Sequence, residues 1–362
     1  MTHIIMKIAF TSCSNVTRKG QQAQPIWGII KGQNPDLLLL LGDNVYLGDD
    51  GYGAPLKRKM EKLAARYDAQ LAEPHFDELV SNTPFLAIWD NHDFGLPGDK
   101  FRPGDATVER YGAEVPQAFR DASREIFNSK LKSLKHSVAP PSSTVYCAHL
   151  FEDESGKKIK CFLLDVRSFQ DDPSKVYPPN RHHPTLLGEE QENWLLRELE
   201  SSTAGINVIC SGIPYRYWKK YPRWFDAFNK VAAKKSKLLF LGGQVHHNEF
   251  NTHLLIDQTP RVPEWPPIPI ETTTLYEAIS SGVGQNHGED DGEPGHRNNG
   301  DIMDNPGLEN LPRNNYGIID FTKEHVFITL YGQSADDVHY AAINRPDWTL
   351  KGYWSMRRAV NL

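Results

Sequence analysis

"LLFLGGQVHHNEF", residues 238–250, decides how the chain is read. It opens on an unbroken apolar run, the pattern of a strand buried on both faces. Gly242 and Gly243 end the run, and Gln244, His246, His247 and Glu249 follow at once. In open α/β sheets functional groups gather at the carboxyl ends of strands, and histidines beside a glutamate are metal-ligand types. The discordant residue is Gln244, an uncharged amide where a metal site would sooner carry a carboxylate.

Working outward, the same construction recurs. Apolar runs "KIAF" (7–10), "DLLLLLG" (36–42), "FLAIWD" (85–90), "KCFLLDV" (160–166) and "INVICSG" (206–212) read as buried strands, and "LYEAISSG" (275–282) as a later one. "YGIIDF" and "VFITLYG" read as a hairpin. Helical spacing fills residues 55–73, 116–131 and 185–202; in the last, Thr185 offers an N-cap and acids crowd the first turns. Strand, helix and strand again predict a layered α/β fold. Ligand-type residues end strand after strand: Cys13 after the first, Asp43, Asn44 and Tyr46 after the second, and Asp90, Asn91, His92 and Asp93 after the third. Asp165 and Arg167 follow the fourth, and Gln244 and His246 close the run quoted above. That gathering points to a polynuclear metal site, with Arg167 able to hold an anion.

The bulk numbers narrow the class. The chain has 362 residues, 24% of them charged, with a net charge of −6. A nucleic-acid partner would call for a basic excess, and none is present. The four cysteines, Cys13, Cys147, Cys161 and Cys210, are widely spaced and form no CxxC pair; a disulfide framework or structural zinc is not expected. Cys161 and Cys210 lie in strand-like runs and read as buried free thiols. No window approaches the ~18 apolar residues of a membrane span. The N-terminus is too short in apolar residues for a signal peptide, so a cytoplasmic protein is expected, or a secreted one if a leader has been trimmed. No repeat or linker is visible. One domain over 1–362 is expected, with long polar surface loops at 96–112 and 284–315. The oligomeric state is not legible.

The motifs in order are "TSCSN", "LGDNVY", "WDNHDFG", "LLDVRSF", "LGEEQENWLLRELESS", "FLGGQVHHNEF" and "YEAISSGV". Together they resemble the PhoD-type alkaline phosphatase family of the calcineurin-like metallophosphoesterase superfamily, from about residue 7 to 330. The resemblance implies a four-layer αββα sandwich and hydrolysis of phosphomonoesters or phosphodiesters by a metal-bound hydroxide, on a small phosphate-ester substrate. It implies Fe3+ with Ca2+ as the metals. By position, Cys13, Asp43, Tyr46 and His246 would be metal ligands, with Asp43 bridging. Asn91 would bind the second metal, and Gln244 falls at a further ligand position. His92 and Arg167 would act in catalysis on the phosphate, and Asn44 would join them in binding it. Asp90, Asp165 and Glu249 would support these from behind, with Glu249 orienting a histidine.

The residue types suit that chemistry. A metal pair clamps phosphoryl oxygens and acidifies water, and thiolate and phenolate help balance a trivalent ion. Bland readings stand beside these: Cys13 as a buried hydrophobe, Asp43 as a helix cap, His92 as a structural histidine, Trp194 as core. "YRYWKKYPRWF" (215–225) reads as a surface helix-loop of amphipathic aromatics, with a role at the mouth as the alternative. The family pattern places Asp where this chain has Gln244. Three consequences are open: a divalent metal set (Mn, Zn, Fe or Ca), a shift to another ester class, or lost catalysis with a pocket that binds a metal or phosphate ligand.

Overall fold

The computed structural model describes residues 4–17, 24–47, 56–95, 111–175, 183–235, 237–256, 272–284, 314–332 and 337–357. The expected loops at 96–112 and 284–315 fall almost wholly outside them. Their described margins are a short 3-10 turn at Gly112–Glu114 and the start of a strand at Asn315.

Two sheets carry the fold. In the first, β1 (Ile4–Thr11), β2 (Leu37–Leu41) and β3 (Phe85–Ile88) run parallel. They continue through β10 (Asn315–Thr322), β11 (His325–Gly332), β12 (Asp337–Asn344) and β13 (Thr349–Arg357) in the order β13-β12-β11-β10-β1-β2-β3. The second contains β4 (Cys147–Glu152), β5 (Lys158–Leu163), β6 (Ile206–Cys210), β7 (Leu238–Gly242), β8 (Glu249–Ile256) and β9 (Thr272–Ile279) in the order β4-β5-β6-β7-β9-β8. There β5, β6, β7 and β9 are parallel. The expected hairpin is β10–β11, antiparallel from Asn315 opposite Gly332 to Phe321 opposite Val326.

Alternation along the strands explains the layering. Leu37, Leu39 and Leu41 face the same core as Cys161, Val208, Leu239 and Leu241 from the other sheet. Leu38 and Leu40 face outward onto α1 (Ile26–Gly32), α2 (Leu56–Leu71), α3 (Pro74–Val80) and α5 (Gln117–Phe127). On the far side, Phe162, Ile209, Leu238 and Phe240 pack on α6 (Glu189–Glu200) and α7 (Pro222–Ala232). Helix, sheet, sheet and helix stack as the four layers expected. Strands buried on both faces must be apolar throughout, which is why "LLLLL" and "LLFL" have no polar alternation.

Two local expectations are corrected. Thr185 does not cap α6. Its hydroxyl donates to Asp171 Oδ2 at 3.0 Å, and the helix starts four residues later, at Glu189, with Gly188 at the N-cap. The segment 215–225 is not a surface helix-loop: Tyr215, Trp218, Tyr221 and Trp224 are all buried in the outer core of the second sheet. Trp194 packs against that core, and Cys161 and Cys210 are buried free thiols, as expected. Among the described residues no helix is long and apolar enough to cross a membrane.

Candidate metal centre and phosphate site

The parallel strands of both sheets end at one edge, and the two edges meet there. A Cβ on Gly243 would lie within 3.0 Å of Ser12 Oγ, the Gly212 carbonyl and the Leu41 carbonyl. Only glycine permits that approach, and it joins the ends of β1, β2, β6 and β7. The chain then turns sharply. Cys13, Asp43, Gln244 and His246 all have positive φ, between 49° and 73°, four of the six such non-glycine residues among those described. Each such conformation costs ~1–3 kcal/mol and collects at functional sites. The strain is held by cross-links: Cys13 N–H donates to the Gly42 carbonyl at 3.1 Å and Ser14 N–H to the Asp43 carbonyl at 2.8 Å.

The turns bring side chains together. Cys13 Sγ, a carboxylate oxygen of Asp43 and a ring nitrogen of His246 lie within 4.8 Å of one another. The Tyr46 hydroxyl joins them, donating to Asp43 Oδ2 at 3.2 Å and lying 3.0 Å from His246 Nε2. Asp43 Oδ1 accepts from the His92 N–H at 3.0 Å, and the His92 ring packs on Tyr46 with centroids 3.9 Å apart. Beside this group the Arg167 guanidinium pairs with Asp90 through Nε, donates to Gln244 Oε1 through Nη2, and reaches Gln170 Oε1 at 3.3 Å through Nη1. Gln244 Nε2 donates to Asn91 Oδ1 at 3.4 Å.

The electrostatics fit a cation. Burial, then the neighbouring Asp43, pushes the Cys13 thiol well above its ordinary range. Burial, then Asp90 and Asp93, raises Asp43; burial, then Cys13 and Asp43, raises Tyr46. Burial lifts Asp93 to about 7. His92 is moved the other way, to about 3, by burial and then by the positive charge of His246 and Arg167. Anionic ligand types thus crowd a desolvated pocket where Arg167 supplies one positive charge. A metal ion held by Cys13, Asp43 and Tyr46 would oppose the upward shifts of those three groups by favouring their deprotonated forms. Cys13, Asp43, Tyr46 and His246 therefore fit a bound metal.

The family model described as PhoD-like phosphatase matches residues 8–257. The chain belongs to the PhoD-like phosphatase family. It is similar to alkaline phosphatase D of Bacillus subtilis (strain 168), 29% identical over 164 residues, which is 42% of this chain and 25% of that protein. The matched part thus spans about a quarter of that relative's length. In structure, all of the chain superposes on 73% of a chain described as the structure of PhoD, with a TM-score of 0.66 and 18% identity. A dimetal phosphatase from Danio rerio aligns over 98% of this chain and 99% of its own, with a TM-score of 0.46 and 11% identity.

Within this PhoD-like architecture the anticipated residues take several places. Cys13, Asp43, Tyr46, His92, Arg167 and His246 converge. Gln244 and Asn91 do as well, but their polar atoms meet each other and Arg167. Asn44 differs from expectation: its amide donates to the Ile88 carbonyl at 2.9 Å and to Asp93 at 3.2 Å, so its donors serve the fold. Asp165 acts from behind, accepting from Trp89 Nε1 at 2.7 Å, from the Arg167 N–H at 3.0 Å and from Ser168, which fixes the turn that carries Arg167. Glu249 orients His247, at 2.6 Å, rather than His246, and is itself held by Arg216.

One contributor, Ser281, escaped the sequence reading, and a second, Asp93, was seen there without its role. Ser281 Oγ donates to Cys13 Sγ at 3.1 Å and accepts from the His246 N–H at 3.0 Å, linking two ligand-bearing turns. The motif "YEAISSGV" marked its position without showing its role. Asp93 collects the Tyr67 hydroxyl at 2.6 Å, the Asn44 N–H at 3.0 Å and the Asp90 N–H at 3.0 Å, tying the end of β2 to α4 (Asn91–Phe94). Its spacing from Asp90 carried the signal of a capping box, which a four-residue helix hid.

Proposed function

We propose that the chain is a metal-dependent phosphoesterase whose single domain hydrolyses small phosphate monoesters or diesters. The observation that carries this reading is the approach of Cys13, Asp43 and His246 to within 4.8 Å of one another, with Arg167 buried beside them. Cys13, Asp43, Tyr46 and His246 would hold the metal. Thiolate, carboxylate and phenolate together favour a trivalent iron; a divalent ion (Mn, Zn or Fe) suits the same donors if Gln244 weakens the ferric preference. When bound, the metal supplies a Lewis acid for a phosphoryl oxygen and lowers the pKa of water.

The remaining work falls to the chain's own residues. Arg167 is held by Asp90 and presents a planar fork that matches two oxygens of a phosphoryl group. Because the pair is fixed before substrate arrives, little reorganisation is needed as charge builds on those oxygens. His92 Nδ1 is buried with no hydrogen-bond partner among the described residues. Its ring is held neutral, so it can donate one N–H to a phosphate oxygen, and it gains basicity when a negative ester sits against it. The left-handed backbones of Cys13, Asp43 and His246 preorganise the ligands. A purely ligand-binding role is not favoured, since this whole set is retained. The test is cleavage of chromogenic phosphate mono- and diesters with a panel of metals. Turnover by the native chain and background rates for Asp43→Asn are expected; equal rates for the two would overturn the reading.

A further inference from the structure

The departure at Gln244 has a structural consequence that rests on the metal-dependent reading above. We propose that Gln244 makes this a one-metal site, in which Arg167 takes the charge-balancing place of a second cation. A guanidinium has donors only. Arg167 Nη2 points at Gln244, so Gln244 must turn its carbonyl oxygen toward it. The amide nitrogen of Gln244 then faces away, and it donates to Asn91 Oδ1 at 3.4 Å. Asn91 thereby directs its oxygen, the one atom of its side chain able to ligate a cation, at an N–H group. The residue that would serve a second metal is turned to Gln244.

Charge reinforces the geometry. Arg167 is 7% and Asp90 1% exposed at the side chain, and the two form an ion pair, with Gln170 completing the hold at 3.3 Å. A cation placed between Asp90 and Asn91 would stand against a fixed, desolvated guanidinium, and like charges repel strongly where water is excluded. The other donor group, Cys13, Asp43 and His246 with Tyr46, keeps its own geometry and is the only His/Cys/Asp/Glu cluster of three or more that could hold a metal among the described residues. The phosphoryl group would then lie between one metal and one guanidinium. A carboxylate at position 244 would undo this. It has no donor for Asn91, it adds a negative charge, and it frees the Asn91 oxygen to turn toward a cation.

The test uses the full chain, native and Gln244→Glu, which keeps the side-chain length and the acceptor facing Arg167. Each is incubated with Fe, Zn, Mn and Ca singly and with Fe and Ca together, freed of unbound ions, and analysed for total metal per chain; ester turnover is read on the same samples. One metal per native chain and two per folded Gln244→Glu chain are expected. Two per native chain, with turnover, overturns the one-metal proposal and leaves the phosphoesterase reading intact. One per chain in both proteins overturns the role given to Gln244. No metal and no turnover in the native chain removes the phosphoesterase reading, and this proposal with it. If circular dichroism shows Gln244→Glu unfolded, the native count decides between one metal and two.

Discussion

Replacing Arg167 with methionine removes the guanidinium and keeps most of the apolar stem. The ion pair it breaks is among the most buried of those between described residues, with Asp90 1% exposed. Asp90 would be left as an uncompensated charge beside Asp43 and Asp93, whose own acidity burial already lowers. Removing one partner of a buried pair costs ~3–5 kcal/mol, much of it the penalty of stranding the other. Arg167→Met is therefore expected to lower stability by about 4 kcal/mol. Adding Asp90→Asn removes the stranded charge, and the double variant should regain more than half of that loss, a positive coupling that distant sites do not show. Turnover behaves differently: the fork that meets the phosphoryl oxygens is gone in both variants, so the double variant stays inactive. The assay is urea unfolding by circular dichroism with a chelator present throughout, because a bound metal would add its own stabilisation. A cost below about 1 kcal/mol for Arg167→Met, or a double variant as unstable as the sum of the two single ones, would mean that Arg167 does not neutralise Asp90.

Other expectations are as specific. Ser281→Ala severs the links to Cys13 Sγ and the His246 N–H; metal affinity should fall ~10–100-fold, as for other supporting residues of metal sites, and an unchanged competition titration would show that Ser281 is dispensable. Gly212→Ala puts a Cβ 3.0 Å from the Asp90 carboxyl; the carboxyl must shift, and turnover should drop while stability falls by ~1–3 kcal/mol, whereas native rates would mean the pair moves freely. For Glu249, burial acts to raise the pKa, but His247 and Arg216 outweigh it and leave it at about 2. A lowered carboxyl pKa stabilises the fold above the ordinary value of 4.5 and loses that contribution as pH falls toward 2. Glu249→Gln should thus cost about 3 kcal/mol near neutrality, with a shallower loss of stability between pH 4.5 and 2 than the native chain; parallel acid titrations would contradict it.

The parallel core was legible because strands buried on both faces have to be apolar along their whole length. The quoted runs at β2, β6 and β7 left no competing interpretation. What escaped were edge strands and short helices. β4 has a half-exposed pattern with Leu150 in the open, and β8 begins at Glu249 inside what looked like a ligand-bearing loop. The aromatic stretch 215–225 misled for a different reason. Its interleaved Arg216, Lys219 and Lys220 suggest a surface, yet a 3-10 turn followed by α7 puts the aromatics on the inner side. In the site, Asp43, Arg167 and His246 stood out as residue types at strand ends, whereas Cys13 and Tyr46 were singled out as ligands only by the resemblance of the motifs around them. Hydrogen-bond direction was not legible. Nothing in the sequence says that Asn44 serves Ile88 and Asp93, or that Gln244 mediates between Arg167 and Asn91. Those depend on which way an amide turns, which only its neighbours decide.

A metal held by Cys13, Asp43, Tyr46 and His246 is expected to drive phosphate-ester hydrolysis. The most direct measurement is turnover of a chromogenic phosphate ester by the native chain before chelation, after chelation, and after metal is restored. Loss with the chelator and recovery with metal is the expected result. Turnover indifferent to the chelator, or no turnover with any of the metals, would contradict it.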